Sequence, residues 1–233
     1  MNHNHKKIII NKLFPCPPSK NFNNLMIDDD SVSYITTPMN SEVIAGIIES
    51  LIPKKISRSD VTILDGTACV GGDSISFGRM FGVVIATEIE EHRYNMLVNN
   101  LKEFELYNVV PVNDDCLKIF SRLNFVDVMY FDPPWGGKSY KTENLLRLSI
   151  GDLYVDELVN LIFNKNTDSN KGIRSNVKMI VFKLPKNYDI KNLYLMTKSS
   201  NLTMLMYDLN KMLIVVFTPL KNSNNMENLT YFI

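Results

Sequence analysis

The sequence predicts an α/β fold with a mostly parallel seven-stranded sheet, one strand antiparallel, and helices on both faces. Two observations predict it. Short apolar runs that suit buried strands alternate with longer segments whose apolar residues recur at helical spacing, which is typical of parallel sheets covered on both faces. The last two strand-like runs are separated only by a short turn, which indicates a hairpin and therefore one antiparallel strand.

The first predicted helix begins at Pro38 and is stopped by Pro53. Proline suits the first turn of a helix, and Thr37 is a suitable N-cap. Between the two prolines, apolar residues recur at helical spacing, so one face of this helix should be buried. Those positions are Val43, Ile44, Ile47, Ile48 and Leu51.

The predicted strands are short runs dominated by β-branched and large apolar residues, and the helices between them are amphipathic. The strands are predicted at 61–64, 83–87, 109–112, 126–131, 177–184, 202–207 and 212–219. The further helices are predicted at 73–81, 91–104, 117–123, 153–163 and 190–197. The polar stretch 164–176 is predicted to be a loop, and 209–211 to be the hairpin turn.

We predict a single domain at residues 31–233, preceded by a partly irregular N-terminal arm at residues 1–30, where prolines and runs of Asn and Asp disfavour regular structure. The formal net charge is zero, so no overall positive field would hold a long nucleic acid by its phosphates. Three scattered cysteines argue against a disulfide framework or a metal site, and we expect neither of the two. With no signal-peptide pattern and no membrane-length apolar run, we expect a reducing cytoplasmic or nuclear location, without secretion.

The most informative motif is Tyr-Phe-Asp-Pro-Pro-Trp-Gly-Gly at 130–137. Proline cannot donate to a sheet, so the strand must end at Pro133, and Asp132 then lies at its carboxyl end, where open α/β sheets bind ligands. Trp135, the only tryptophan, is placed to stack on a flat substrate. This suits methyl transfer to an exocyclic nucleobase amine, since Asp132 and a turn carbonyl can accept the amine hydrogens. The alternative is a strand-end turn with a buried tryptophan.

The second motif is the glycine-rich turn Asp-Gly-Thr-Ala-Cys-Val-Gly-Gly at 65–72, which opens a helix after the first strand. Its spacing is not the G-x-G-x-x-G of dinucleotide folds. An acid leading such a turn is typical of S-adenosylmethionine sites, where it can meet the cationic amino-acid end of the cofactor. The cofactor contacts predicted in this turn are Asp65, Thr67, Ala68 and Gly71.

Two further acids follow the next two strands. Glu88 can accept both ribose hydroxyls, and Asp115 can accept from the adenine amine, with Asp114 as its alternative. A cap at a helix N-terminus is the alternative role for each strand-end acid. Together with Asp132, these acids predict S-adenosylmethionine as cofactor and S-adenosylhomocysteine as product.

With these motifs the chain resembles the class I S-adenosylmethionine-dependent methyltransferases, which have a Rossmann-like fold, and specifically the trimethylguanosine synthase family. That family methylates the exocyclic N2 amine of 7-methylguanosine at RNA cap ends. The resemblance runs from about Tyr34 to Phe217. Its most specific parts are the turn at 65–72, Pro-Pro-Trp-Gly-Gly at 133–137 with Tyr140 downstream, and Leu-Pro-Lys-Asn at 184–187.

The resemblance implies a role for each matched residue. Trp135 corresponds to the tryptophan on which the cationic guanine stacks, and Pro133 lines the same pocket. The positions that correspond to cap-triphosphate contacts are Tyr140, Lys186 and Lys211. Lys211 has a solvated hairpin turn as its alternative. Lys138 and Lys183 are expected to be solvated, with phosphate contact as the alternative.

The chain also departs from the family. The family has Ser where this chain has Asp132, whereas Asp belongs to related amino-methyltransferases that act on adenine, cytosine or guanine. A carboxylate still accepts from an amine and would also favour a cationic base. Lys186 replaces an Arg, which keeps the charge but loses bidentate geometry. The N-terminal arm is poorly matched, and only Tyr34 remains of an aromatic pair.

The predicted reaction is in-line displacement at the sulfonium methyl by the N2 amine of 7-methylguanosine in capped RNA, with Asp132, Pro133 and Trp135 as the catalytic residues. The enzyme supplies proximity and orientation. We expect the protein to be a monomer and to have no membrane as a partner. The alternative within enzymes is an amino-methyltransferase acting on adenine or guanine in RNA or DNA. The alternative from another class is a catalytically silent cap-binding protein that keeps the fold.

Overall fold

The computed structural model describes the protein in two compact units, Met1–Phe120 and Ser121–Ile233. The residues it describes are 9–123, 125–163, 177–219 and 229–232, without the side chains of 138, 199 and 229–232. The predicted loop at 164–176 lies outside these residues.

Three parallel strands form the sheet of the first unit: β1 (Thr62–Asp65), β2 (Val83–Thr87) and β3 (Val109–Val112). β2 pairs with both of the others, with Thr62 opposite Val83 and Val84 opposite Val109. Because the strands are parallel, their carboxyl ends meet at one edge of the sheet.

Two helices, α1 (Ser31–Tyr34) and α2 (Pro38–Leu51), lie between the arm and β1. The strands β1, β2 and β3 are followed by α3 (Gly72–Met80), α4 (Glu91–Glu103) and α5 (Cys116–Arg122), respectively. Pro38 begins α2 as predicted, although the side chain of Thr37 makes no cap hydrogen bond. Helix α3 packs closely on β3, since a Cβ at Gly78 would lie 2.4 Å from Cγ2 of Val109.

The described part of the N-terminal arm packs against α4. Phe14 is buried and stacks on Phe104, with ring centroids 6.4 Å apart. The fully buried Asn100 donates to the carbonyls of Met26 (2.8 Å) and Val70 (2.9 Å) and accepts from the amide of Met26 (2.8 Å). One α4 side chain therefore ties the arm to the glycine-rich turn.

The second unit contains a mixed sheet and a separate two-stranded pair. Its strands are β4 (Val128–Phe131), β5 (Ser149–Ile150), β6 (Leu153–Tyr154), β7 (Met179–Pro185), β8 (Leu202–Leu209), β9 (Met212–Pro219) and β10 (Leu229–Phe232). The order within this unit is β4-β7-β9-β8-β10, with β5 and β6 paired separately. β4 runs parallel to β7, and β9 is antiparallel to both β7 and β8. The helices are α6 (Val155–Phe163) and α7 (Ile190–Thr197).

The structure confirms the predicted fold class, a mostly parallel sheet with one antiparallel strand and helices alternating with strands. The hairpin forms as predicted, with β8 and β9 joined through Asn210 and Lys211. Two details differ. The helix predicted from residue 153 begins at Val155, because the two preceding residues pair as β6. Beyond the seven predicted strands, β10 pairs parallel with β8.

The described residues contain no helix that is both long and apolar enough to cross a membrane.

Candidate active site

Three acids lie at or just beyond the carboxyl ends of the parallel strands of the first unit. Asp65 is the last residue of β1, Glu88 directly follows β2, and Asp115 lies three residues after β3. The amide of Glu88 donates to the carbonyl of Val112 (3.0 Å), which joins the ends of β2 and β3. This is the edge at which open α/β sheets bind ligands.

Asp65 is fully buried and holds the glycine-rich turn in shape. One carboxylate oxygen accepts from the hydroxyl of Ser74 (2.5 Å) and the other from the amide of Thr67 (3.2 Å). The structure therefore places Asp65 beneath the turn, where it joins the strand to the first turn of α3. We infer that its effect on a ligand passes through the backbone of the turn.

The turn itself is shaped by two residues with positive φ. Gly71 has a φ of 100° and is the N-cap of α3, a conformation that side chains rarely adopt. Cys69 has a φ of 50°, which is uncommon for a residue other than glycine. Ala68 is buried, and its amide donates to the carbonyl of Thr87 (2.9 Å), so the turn is anchored to β2.

The thiol of Cys69 lies inside this framework and donates to the hydroxyl of Ser31 on α1 (3.3 Å). Burial raises the pKa of Cys69 to about 11, so the thiol is neutral at physiological pH. Thr67, in the same turn, is half-buried. The predicted contacts Thr67, Ala68 and Gly71 thus lie on one short segment.

Glu88 is nearly buried, and one of its carboxylate oxygens accepts from the amide of Glu90 (2.9 Å). Burial raises the pKa of Glu88, while this hydrogen bond and the positive charge of Arg93 oppose the shift. Arg93 is held in turn by an ion pair with Asp28 (3.2 Å) and lies over the ring of Tyr34 (5.8 Å to the centroid). Arg93 therefore connects the neighbourhood of Glu88 to the segment before α2.

Asp115 takes the helix-capping role that was its predicted alternative. One of its side-chain oxygens accepts from the amide of Leu117 in the first turn of α5 (2.9 Å). Asp114 accepts from the amide of Asp115 (2.8 Å) and lies 3.7 Å from Lys118. A carboxylate has two oxygens and several acceptor positions, so capping α5 does not prevent Asp115 from accepting a second hydrogen bond.

This donor set suits an S-adenosylmethionine-like cofactor. Glu88 and Asp115 carry carboxylate oxygens, which can accept hydrogen bonds from hydroxyl and amine groups, and the turn between Asp65 and Gly72 leads into the N-terminus of α3. Among the described residues no cluster of three His, Cys, Asp or Glu side chains could hold a metal ion.

In the second unit, β4 ends at Phe131, as the Asp-Pro-Pro sequence predicts, and Asp132 follows it. The register of β4 and β7 places Phe131 opposite Phe182, so the next positions on the two parallel strands, Asp132 and Lys183, are neighbours. Their side chains form an ion pair, 18% exposed for Asp132 and 4% exposed for Lys183. The predicted acceptor of the amine is thus already engaged by a buried ammonium group.

This location corrects the expectation that Lys183 is a solvated lysine. It lies inside β7, whose seven residues are all buried, and a buried ammonium requires a charged or polar partner. The signal in the sequence is a lysine near the end of the predicted strand 177–184, directly after the four apolar residues 179–182. A charge within a strand predicted to be buried indicates an ion-pair partner on a neighbouring strand.

Trp135 is half-buried beside the ion pair. Nζ of Lys183 lies 5.8 Å from its ring centroid, and the ring of Tyr140 meets it edge-on, with centroids 5.2 Å apart and an interplanar angle of 76°. The indole Nε1 is buried without a hydrogen-bond partner among the described residues. Pro133 is also buried. The predicted pair Trp135 and Tyr140 therefore forms one aromatic corner.

The segment after Trp135 turns through two glycines into a 3₁₀ helix, Gly137–Thr142. Gly136 and Gly137 have φ values of 87° and 67°. The side-chain amide of Asn187 donates to the carbonyls of Tyr140 and Glu143, each at 2.7 Å. The Leu-Pro-Lys-Asn motif thus supports the Pro-Pro-Trp-Gly-Gly motif through Asn187, a contact that the sequence interpretation missed.

The predicted phosphate-binding lysines lie near the β8–β9 hairpin. Lys186 directly follows β7 and forms an ion pair with Asp208 on β8. Lys211 is exposed in the hairpin turn. Lys186 therefore has an intramolecular partner that a phosphate would have to replace or join. The side chain of Lys138 lies outside the described residues.

Comparison with known proteins extends these observations. Residues 61–232 match the family model described as RNA cap guanine-N2 methyltransferase. An uncharacterized protein of Acanthamoeba polyphaga mimivirus, L320, is 30% identical over 92% of this chain and 85% of its own length. Trimethylguanosine synthase of Schizosaccharomyces pombe is 28% identical over 56% of this chain and 53% of its own length.

A solved structure shows the same fold at low sequence identity. The structure titled "delta-N METTL16 MTase domain" has a TM-score of 0.58 and 14% sequence identity, covering 83% of this chain and 86% of that one.

Proposed function

Because this chain belongs to the RNA cap guanine-N2 methyltransferase family, we propose that it transfers a methyl group from S-adenosylmethionine to the exocyclic N2 amine of 7-methylguanosine in an RNA 5' cap. Membership of this family and the class I fold imply an S-adenosylmethionine-dependent methyltransferase. The proposal adds the particular base, its 7-methyl group and the capped RNA that carries it.

The observation that supports this acceptor best is the arrangement of Trp135, Tyr140 and Asp132 after β4. Trp135 offers a flat aromatic surface, and Tyr140 meets its ring edge-on. An aromatic face attracts a delocalised cation such as 7-methylguanine through its quadrupole, an interaction of about 0.5–2 kcal/mol. Asp132, which directly follows β4, supplies the carboxylate that would orient the amine.

The residues of the first unit would bind the cofactor, which supplies an electrophilic methyl group when bound. Glu88 would accept from the ribose hydroxyls, and Asp115 from the adenine amine, while it continues to cap α5. The backbone of Thr67, Ala68 and Gly71 would line the amino-acid end, with its shape kept by Asp65 below.

In the proposed reaction the N2 lone pair forms the new N–C bond as the S–C bond breaks, and S-adenosylhomocysteine leaves with the sulfur electron pair. The enzyme acts mainly by proximity and orientation, which can lower a barrier by about 7–11 kcal/mol. The amine becomes more acidic once methylated, so its proton can leave after transfer, with Asp132 as the nearby acceptor. Tyr140, Lys186 and Lys211 would contact the cap phosphates.

Asp132 itself supports a second candidate. An Asp at this position belongs to amino-methyltransferases that act on adenine, cytosine or guanine, so methylation of adenine or guanine within RNA or DNA is the alternative. The zero net charge of the chain disfavours a long duplex substrate.

Methyl transfer from labelled S-adenosylmethionine to 7-methylguanosine diphosphate, with guanosine diphosphate as the control acceptor, tests the proposal. We expect product from the methylated base and at least tenfold less from the unmethylated one, with mass spectrometry counting the methyl groups added. Absence of product from the methylated base, together with transfer to an adenine-containing oligonucleotide, would replace this proposal by the alternative.

A further inference from the structure

We propose that Lys183 is a specificity-determining residue of the acceptor site. Its ammonium group neutralises the carboxylate of Asp132, so the ion pair adds no net charge beside Trp135. The preference for a cationic base then comes from the π face of the Trp135 ring. The inference deepens the proposed function and rests on Trp135 being the surface that binds the base.

The geometry brings three groups into one small cluster. Asp132 and Lys183 follow paired residues on neighbouring parallel strands and form an ion pair. The Lys183 side chain is 4% exposed, so this charge is withdrawn from solvent. Its Nζ lies 5.8 Å from the ring centroid of Trp135. Because the ammonium group lies over one face of the ring, a base stacked on the other face of Trp135 would lie roughly 9 Å from it, a distance at which charges still interact in a poorly solvated site.

The two charges of the pair have opposite consequences for a cationic ligand. A carboxylate beside the ring attracts a 7-methylguanine cation, and an ammonium beside the ring repels it. With both present, the pair contributes no net charge. Removing one partner leaves the other charge with weakened compensation in a poorly solvated place, where charge interactions are much stronger than in water.

The proposal therefore predicts opposite shifts from two single substitutions. Lys183→Met leaves the carboxylate of Asp132 without its ammonium partner and should raise the preference for a cationic over a neutral base. Asp132→Asn leaves the ammonium of Lys183 beside the ring and should lower that preference. The double variant D132N/K183M removes both charges and should return the preference to near that of the wild type. Lys183→Arg keeps the charge and should change it little.

The test measures ligand binding, so it does not depend on turnover. Trp135 is the only tryptophan in the chain, so quenching of its fluorescence reports ligands that stack on it. We would titrate each variant with 7-methylguanosine diphosphate and guanosine diphosphate and compare the ratio of the two dissociation constants. We expect about a tenfold rise in the preference ratio for K183M and about a tenfold fall for D132N.

Lys178 provides a matched control within the same unit. It immediately precedes β7, forms an ion pair with the buried Asp127, and lies 5.9 Å from the ring centroid of Phe125. Lys183 lies five positions further along the chain, which corresponds to roughly 16 Å in an extended strand. Lys178→Met should therefore cost stability by a similar mechanism while leaving the preference ratio unchanged.

The outcomes separate this inference from the proposed function. A merely structural ion pair would weaken the binding of both nucleotides alike, so unchanged ratios in K183M and D132N, or shifts of the same sign, would overturn the role of Lys183. Lack of quenching in the wild type would overturn it as well. If the ratios shift as expected but no guanine is methylated, the proposed reaction fails and the charge arrangement stands. Circular dichroism of each variant confirms that it is folded before its ratio is interpreted.

Discussion

Asn187, two residues beyond the end of β7, donates its side-chain amide hydrogens to the carbonyls of Tyr140 and Glu143, and thereby clamps the segment that follows Trp135. Each hydrogen bond measures 2.7 Å. These carbonyls lie in and directly after the last turn of the 3₁₀ helix, which is preceded by Gly136 and begins with Gly137, both with positive φ, so its own backbone gives little rigidity. The edge-on contact of Tyr140 with Trp135 depends on a residue 47 positions away in sequence.

Replacing Asn187 should therefore loosen the acceptor site. Asn187→Asp keeps the shape of the side chain but removes both donors and places a carboxylate against two carbonyls. We expect KM for 7-methylguanosine diphosphate to rise roughly tenfold or more, since each lost hydrogen bond costs about 1 kcal/mol. The dissociation constant for S-adenosylmethionine should not change. Asn192→Ala on α7 is the control, and equal effects of the two changes would refute the clamp.

Substitutions of Trp135 should separate stacking from folding. W135A should abolish methylation of 7-methylguanosine diphosphate while S-adenosylmethionine still binds, because the stacking surface is lost. W135F keeps an aromatic ring with a weaker quadrupole, so we expect about a tenfold loss in kcat/KM. The free energy of unfolding of W135F should stay within about 1 kcal/mol of the wild type, since Nε1 has no partner to lose among the described residues.

Rate assays measure the loss of methylation in the Trp135 variants, and urea denaturation measures their free energy of unfolding. Tyr107→Ala, at a surface ring that is 86% exposed, is the matched control for removing an aromatic side chain. Undiminished cap methylation by W135A would refute stacking on this residue.

Asp65→Asn should weaken cofactor binding through the turn. The substitution removes the negative charge of the carboxylate that accepts hydrogen bonds from the Ser74 hydroxyl and the Thr67 amide. Hydrogen bonds to charged groups contribute about 1.5–3 kcal/mol, so we expect the dissociation constant for S-adenosylmethionine to rise about tenfold or more. Isothermal titration calorimetry measures it. Asp60→Asn, at an exposed acid just before β1, should have no effect; a similar affinity for both variants would contradict the role of Asp65.

Glu88 should give cofactor binding a pH dependence. Burial raises the pKa of Glu88 above the usual 4.5, and ribose hydroxyls donate best to the ionised form. The affinity for S-adenosylmethionine should therefore be full well above this raised pKa and should fall as the pH drops through it. E88Q should bind more weakly at neutral pH and lose this part of the pH dependence.

The same shift affects stability in the opposite direction. Between the unfolded and the raised folded pKa of Glu88 the native state binds more protons, so the contribution of this residue to stability falls as the pH rises through that window. Urea midpoints of E88Q relative to the wild type should accordingly improve at neutral pH compared with acidic pH. Wild-type and E88Q binding curves that stay parallel across the acidic range would contradict the assignment of Glu88 to the cofactor.

Much of the fold was predictable because its signals are local. The strand β2 and the helix α7 have the predicted bounds, and β4 ends before the Asp-Pro-Pro sequence since proline cannot continue the ladder. The strand β10 was missed because four residues beyond a polar, Asn-rich stretch carry too little periodicity to indicate a strand. The two residues of β6 are too few to show strand periodicity, so the sequence assigns them to the start of α6.

The sequence by itself determined where β2, β3, β4 and β9 end, which acids follow the strands of the first unit, and that Asp132, Trp135 and Tyr140 lie on one segment after β4. These features depend on proline, glycine and apolar spacing within a few residues. Only the tertiary structure decided that Lys183 is buried against Asp132 and that Asn187 holds the carbonyl of Tyr140. Both contacts join segments about 50 residues apart, and they follow from the register between β4 and β7, which is set by packing across the sheet and not by any local pattern.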